Sequence, residues 1–257
     1  MAAWIDGSMP FRAETIRGYL VAAHSRFLVD RAIHGHGQMA EPPPAEVSVR
    51  FRYNQDFSSI YAIVPAQLAL QLALIPAILM ALAIVREKEL GSIVNLYVTP
   101  VTRLEFLLGK QIPYAALAMT NFAIMFLMAL FVFGVPLKGS FPALLLGTVV
   151  YVLATTAYGQ VISAFTRTQI AALFGTAILT VLPATMFAGM LTPVSSLSGL
   201  GAFLGRFFPM SYFLPISLGT FTKGLGLGDV AGDLLILSLF FPALTLLSLA
   251  LVRPQEP

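Results

Sequence analysis

Apolar residues dominate five long runs of the chain, 65–85, 112–133, 141–165, 170–191 and 230–252. Each run is long enough to cross roughly 30 Å of hydrocarbon as a helix rising about 1.5 Å per residue. An unpaired backbone amide in lipid costs several kcal/mol and a helix satisfies its own, so all five are predicted to be membrane-spanning helices. Pro65 and Pro113 fall at or near the first turn of their runs, where a missing N–H is harmless. Pro76 and Pro183 fall mid-run and predict kinks. The stretch 197–227 is also apolar, but Gly199, Gly201, Gly205, Pro209, Pro215, Gly219, Gly224 and Gly226 interrupt it. It is predicted to form short interfacial or re-entrant helices, with Phe207, Phe208 and Ser211-Tyr212-Phe213 at headgroup level.

Between the first two runs lies a charged island, 86–110. After Arg86-Glu87-Lys88-Glu89, the apolar positions Leu90, Ile93, Val94 and Tyr97 recur at helical spacing, which predicts a short amphipathic helix ending at Thr99-Pro100. Thr102-Arg103-Leu104-Glu105 has capping-box spacing and predicts a second helix running past Gly109-Lys110 into the 112–133 span. The result is a surface elbow between two rigid rods. By spacing alone, a solvated capped loop fits as well as a docking lever.

The first 60 residues are a different material. Ile16, Tyr19, Leu20, Ala23 and Phe27 predict an amphipathic helix from about Phe11 to Ile33. Val47, Val49, Phe51 and Tyr53 alternate with polar residues, the pattern of a half-buried strand. Pro42-Pro43-Pro44 separates the two, and one helix plus one strand buries too little to fold alone, so the rest of this small unit is expected to lie outside the chain. No basic start and apolar core of a secretory signal opens the sequence.

Composition agrees with the pattern: 58% of residues are hydrophobic and 11% are charged, too apolar for one soluble core. No Asp, Glu, Lys, Arg or His lies in 57–85, 111–137, 139–166, 168–205 or 234–252. Proton relay, intramembrane carboxylate proteolysis and a metal site at depth are therefore not expected. There is no cysteine, and His34 and His36 with nearby His24 lack the carboxylate or thiolate company of a metal centre. The formal charge of +3 forms no basic stripe, so nucleic acid is not an expected partner. Asp229 and Asp233 suit an N-cap and first-turn acid for the last span.

Uncharged polar residues recur in the spans. Gln67, Gln71, Asn121, Thr156, Gln160 and Thr180 are the candidates to line a pathway, although gluing helices together is the commoner use of such groups. Gly147, Gly159 and Gly175 permit close helix approach on the same logic. Loop charge does not orient the chain. Arg86, Lys88, Arg103, Lys110, Arg167 and Arg253 on one side face Lys138, Arg206 and Lys223 on the other, and adding Arg50 and Arg52 makes the count six against five.

The run from Arg86 to Lys110 resembles the signature of ABC-2 type transporter permeases: Arg-Glu-x-Glu-x-Gly-Thr, then Thr-Pro, then Gly-Lys before the next span. Ser92 stands in place of the usual Thr, and Asn95 where an acidic or amide residue is common. Tyr53-Asn54 through Pro65 resembles the entry to that family's second span. Phe208 through Lys223-Gly224 resembles the segment before its last span, with Leu218 where relatives often carry Arg. The opening Trp4 to Ile16 is similar to the periplasmic region of exporters in which ATPase domains precede the permease.

This resemblance implies an all-α polytopic membrane protein of about five transmembrane helices with a small partial α/β extracytoplasmic segment. Residues 1–60 would be that segment and 61–257 a permease domain lacking the family's first span. It also implies a bacterial cytoplasmic (inner) membrane location, with the carboxyl terminus cytoplasmic. Arg86, Glu87, Lys88, Glu89, Gly91, Thr99, Pro100, Gly109 and Lys110 would couple to an ABC ATP-binding subunit or domain, and a second permease half would complete the pathway. ATP and Mg would sit on the partner, since Gly109-Lys110 lacks the preceding glycine and following hydroxyl of a phosphate-binding loop. The expected function is export driven by ATP hydrolysed elsewhere, with no enzymatic activity or cofactor in this chain. A passive channel or a non-transporting remnant of a split reading frame remain the alternatives.

Overall fold

The computed structural model describes residues 2–7, 9–34, 48–53, 58–91, 102–190, 194 and 197–251, which form two units, 1–63 and 64–257. In the first, strand β1 (Ala2–Asp6), helix α1 (Pro10–His34) and strand β2 (Ser48–Arg52) make a parallel β-α-β unit in which Ala2 pairs with Ser48 and Asp6 with Arg52. The predicted helix and strand are both present. β1 carried no periodic signal, and pairing with β2 reveals it. Within this unit, Ile16, Tyr19 and Phe27 of α1 are exposed, while Ile5 and Ala13 are buried. The triple-proline stretch and His36 lie outside the described residues.

The regular structure of the second unit, among the described residues, is helical. Among the described residues five helices are long and apolar enough to cross a membrane: α2 (Ile60–Glu89), α3 (Arg103–Phe131), α4 (Phe141–Phe165), α5 (Gln169–Met186) and α8 (Leu227–Leu251). The short helices α6 (Gly199–Arg206) and α7 (Met210–Leu218), with a π-helical turn over Gly219–Lys223, occupy the predicted glycine- and proline-broken stretch. Helices α2 and α4 form the centre: Leu68, Leu72, Met80, Ile84, Leu144 and Tyr151 are all fully buried. Helices α3, α5 and α8 leave Ile112, Leu117, Phe131, Phe174, Ile178, Leu239 and Leu246 exposed, as lipid-facing helices do.

Several boundaries differ from the sequence expectation. α2 starts at Ile60, so Pro65 is an interior rather than a first-turn proline; α3 starts at Arg103, where the capping box predicts it, which puts Pro113 inside that helix although it opens the apolar run. α5 ends at Met186, where the Phe187 and Ala188 amides both return to the Pro183 carbonyl, and Gly189 then turns at φ +93°. α8 starts at Leu227, and Asp229 reaches back to accept the Gly226 amide at 2.8 Å.

Two mid-span prolines, Pro76 and Pro183, explain how α4 holds its neighbours. A proline inside a helix frees the carbonyl four residues earlier. For Pro76 that carbonyl is Leu72, which accepts the Thr155 hydroxyl at 3.1 Å. For Pro183 it is Leu179, which accepts the Tyr158 hydroxyl at 2.8 Å. In hydrocarbon a freed carbonyl has no water to turn to, so these two α4 hydroxyls supply the missing donors. Tyr151 adds a third tie, donating to the Ala69 carbonyl at 3.0 Å while its ring stacks on Phe213 at 4.2 Å.

Candidate functional site at the charged elbow

The elbow is built where α2 runs beyond its apolar stretch. Its last turn closes with the Leu90 amide on the Arg86 carbonyl, and Gly91 at φ +68° leaves the helix in the left-handed conformation that suits glycine. The far side starts at Thr102, whose hydroxyl accepts the Glu105 amide at 3.3 Å while Glu105 Oε2 accepts the Thr102 amide at 2.8 Å. The capping box read from the sequence is present. Donation to the Glu105 carboxylate by the Thr102 amide and the Thr102 hydroxyl, each at 2.8 Å, lowers its pKa. The amphipathic helix expected through Ile93, Val94 and Tyr97, together with Thr99 and Pro100, lies outside the described residues.

The elbow charges do not behave alike. Arg86, Leu90 and Gly91 are exposed, as are Arg103, Leu104 and Gly109 on the other side. Glu87 instead pairs with Lys110 of α3 at 2.6 Å, and the Lys110 ammonium sits 5.3 Å from the centre of the Phe106 ring. Lys88 turns the other way and donates to the Ser163 carbonyl near the end of α4 at 2.5 Å. Burial pushes its ammonium below the ordinary lysine value. Glu89 accepts both the side-chain amide and the backbone amide of Gln169, the latter at 2.8 Å, and these bonds lower its pKa.

Of the pathway-lining candidates, the structure brings two together. Thr156 and Gln160 are buried in a polar knot between α3 and α4 whose third member is Gln111. Gln111 Nε2 donates to Thr156 Oγ1 at 2.8 Å and to the Leu153 carbonyl at 2.9 Å, while Gln160 Nε2 donates to Gln111 Oε1 at 3.2 Å. This is interhelical glue. Gln67 and Gln71 on α2 are half-buried, as is Asn121 on α3, whose amide nitrogen is buried without a partner among the described residues. The hydroxyl of Thr180 on α5 is likewise buried and unpartnered among them. The sequence reading missed Gln111, Gln169 and Tyr158. Gln111 was readable, as an amide directly after Lys110 at the mouth of an uncharged span. Gln169 and Tyr158 carry no one-dimensional signal for their partners.

The description "ABC-2 family transporter protein" matches residues 1–250. The chain is 31% identical over 219 residues to a protein of Escherichia coli K12 described as "Probable multidrug ABC transporter permease YbhS", a match covering 85% of this chain and 58% of that one. It is 26% identical over 194 residues to the similarly described YbhR, covering 76% and 52%. It is 28% identical over 188 residues to "Inner membrane transport permease YhhJ" of the same strain, covering 70% and 48%. The chain therefore spans about half the length of the curated relatives it matches. No solved structure matches significantly.

Proposed function

The chain belongs to the ABC-2 transporter family, and on that premise we propose that it is the membrane permease component of an exporter driven by ATP hydrolysis on a partner subunit or domain. The observation that carries the reading is the elbow itself. It joins two rigid helices, displays Arg86, Leu90 and Arg103 to solvent, and ties its remaining charges into α3, α4 and α5, so that force applied to it reaches the whole bundle. On this reading the elbow faces the cytoplasm of a bacterial inner membrane and ATP and Mg are held by the partner. Arg86, Gly91, Thr99, Pro100 and Gly109 would belong to the docking surface, while Glu87, Lys88, Glu89 and Lys110 bond to neighbouring helices, Glu89 from an exposed position. A second permease half completes the pathway, and residues 1–60 lie outside.

Spans free of ionisable groups suit uncharged or amphipathic small molecules, the class suggested by the description of YbhS and YbhR as multidrug permeases. Affinity purification of the tagged protein from its own membranes should recover an ATP-binding subunit or a fused ATP-binding domain. The assembly should accumulate a lipophilic dye in inside-out vesicles only when ATP is supplied. Purification without any ATP-binding component, or dye flux that persists without ATP, contradicts the proposal.

A further inference from the structure

The adjacent residues Lys88 and Glu89 carry opposite charges, and they are placed on opposite helix ends. The junction 166–168 joins the carboxyl end of α4 to the amino end of α5. Ser163 lies in the last turn of α4, where carbonyls have no partner within the helix and carry the partial negative charge of the helix dipole. Lys88 donates to that carbonyl. Gln169 is the first residue of α5, where backbone amides are unpartnered and the dipole is positive. Glu89 accepts that amide and the Gln169 side chain with its two oxygens. The Thr168 hydroxyl caps a different amide, Ala171, so Glu89 and Thr168 share the α5 terminus without competing. Beside the clamp, Ala81 and Val85 of α2 pack against Ala172 of α5.

We propose that Lys88 and Glu89 are positioning residues: a two-charge clamp that fastens the elbow end of α2 across the α4–α5 junction, so that α2, α4 and α5 move as one body when the elbow is displaced. Charged residues in such an elbow would ordinarily be assigned to the partner's surface. The structure assigns these two to the α4–α5 junction of the permease itself, Lys88 half-buried and Glu89 bonded to Gln169 from an exposed position. The clamp is a property of this chain alone, and its use in coupling rests on the transport reading above.

Because the chain has no cysteine, spin labels can be placed without background. Leu90→Cys and Ile170→Cys, both at exposed positions, report the separation of the α2 end from the α5 start by pulsed electron paramagnetic resonance in lipid vesicles. The parent gives one narrow distance distribution. Lys88→Ala and Glu89→Ala broaden it, the exchange Lys88→Glu with Glu89→Lys broadens it further because both helix dipoles are then opposed, and Glu89→Gln, which keeps an acceptor for the Gln169 amide, largely restores it. In each variant the ATP-binding component is retained, and dye transported per ATP hydrolysed falls in step with the broadening. Distributions unchanged in both alanine variants overturn the clamp. Loss of the ATP-binding component with the narrow distance intact also overturns it, by returning these charges to the partner surface. Absence of that component from the parent defeats the transport reading instead and leaves the distance test standing.

Discussion

Gly159→Val is expected to prevent recovery of a monodisperse protein from detergent-solubilised membranes, and Gly159→Ala to lower its thermal midpoint. At Gly159 an added Cβ would sit 2.2 Å from the Ala77 carbonyl oxygen and 2.9 Å from the Ala77 Cα. The obstacle is backbone, so no side chain can turn aside, and the two central helices must separate. Overpacking a tight core costs about 1–3 kcal/mol even where neighbours can shift, and here the displacement would also stretch the Tyr151 and Thr155 bonds to α2. Gly147→Ala should cost less, because its Cβ meets the Ile216 side chain at 3.1 Å, and Gly175→Ala should be silent, with only Thr166 Cγ2 at 4.0 Å. Size-exclusion profiles and thermal melts of the three alanine variants check the order. Equal tolerance at Gly159 and Gly175 would show that α2 and α4 do not approach as closely as described.

Tyr151→Ala is the second large effect expected. The ring is fully buried against Phe213 and its hydroxyl reaches the Ala69 carbonyl, so one side chain links α4 to both α7 and α2. In lipid the water-transfer part of an aromatic deletion is absent, but the cavity and lost contacts remain, and a loss of about 2–3 kcal/mol is expected. Tyr151→Phe removes only the hydrogen bond and should cost about 1 kcal/mol. Thermal unfolding of the two variants in one detergent separates ring from hydroxyl. A phenylalanine variant as damaged as the alanine one would place the importance of Tyr151 in its hydroxyl rather than its packing.

These two residues show what a linear reading reaches. The apolar runs, the Thr102–Glu105 box and the broken 197–227 stretch are patterns along the chain, and the structure carries each of them. Gly147, Gly159 and Gly175 look alike in sequence, because a glycine advertises permission for close approach and not whether a neighbour uses it. Pro76 and Pro183 announce kinks, yet their satisfying donors, Thr155 and Tyr158, lie on another helix and bond to backbone carbonyls that no residue type encodes. The same holds at the elbow. Its charges were legible as a cluster, but their sorting onto α3, α4 and α5 depends on where helix ends fall in space.

A cytoplasmic ATPase can drive this permease only if the elbow faces the cytoplasm. Leu90→Cys at the elbow and Pro136→Cys in the α3–α4 connection are exposed positions at opposite ends of α3, and a membrane-impermeant maleimide distinguishes them in sealed vesicles of known orientation. The prediction is labelling of Leu90→Cys in inside-out vesicles and of Pro136→Cys in right-side-out vesicles. Labelling of Leu90→Cys in sealed right-side-out vesicles would put the elbow beyond the reach of any cytoplasmic ATPase and contradict the account.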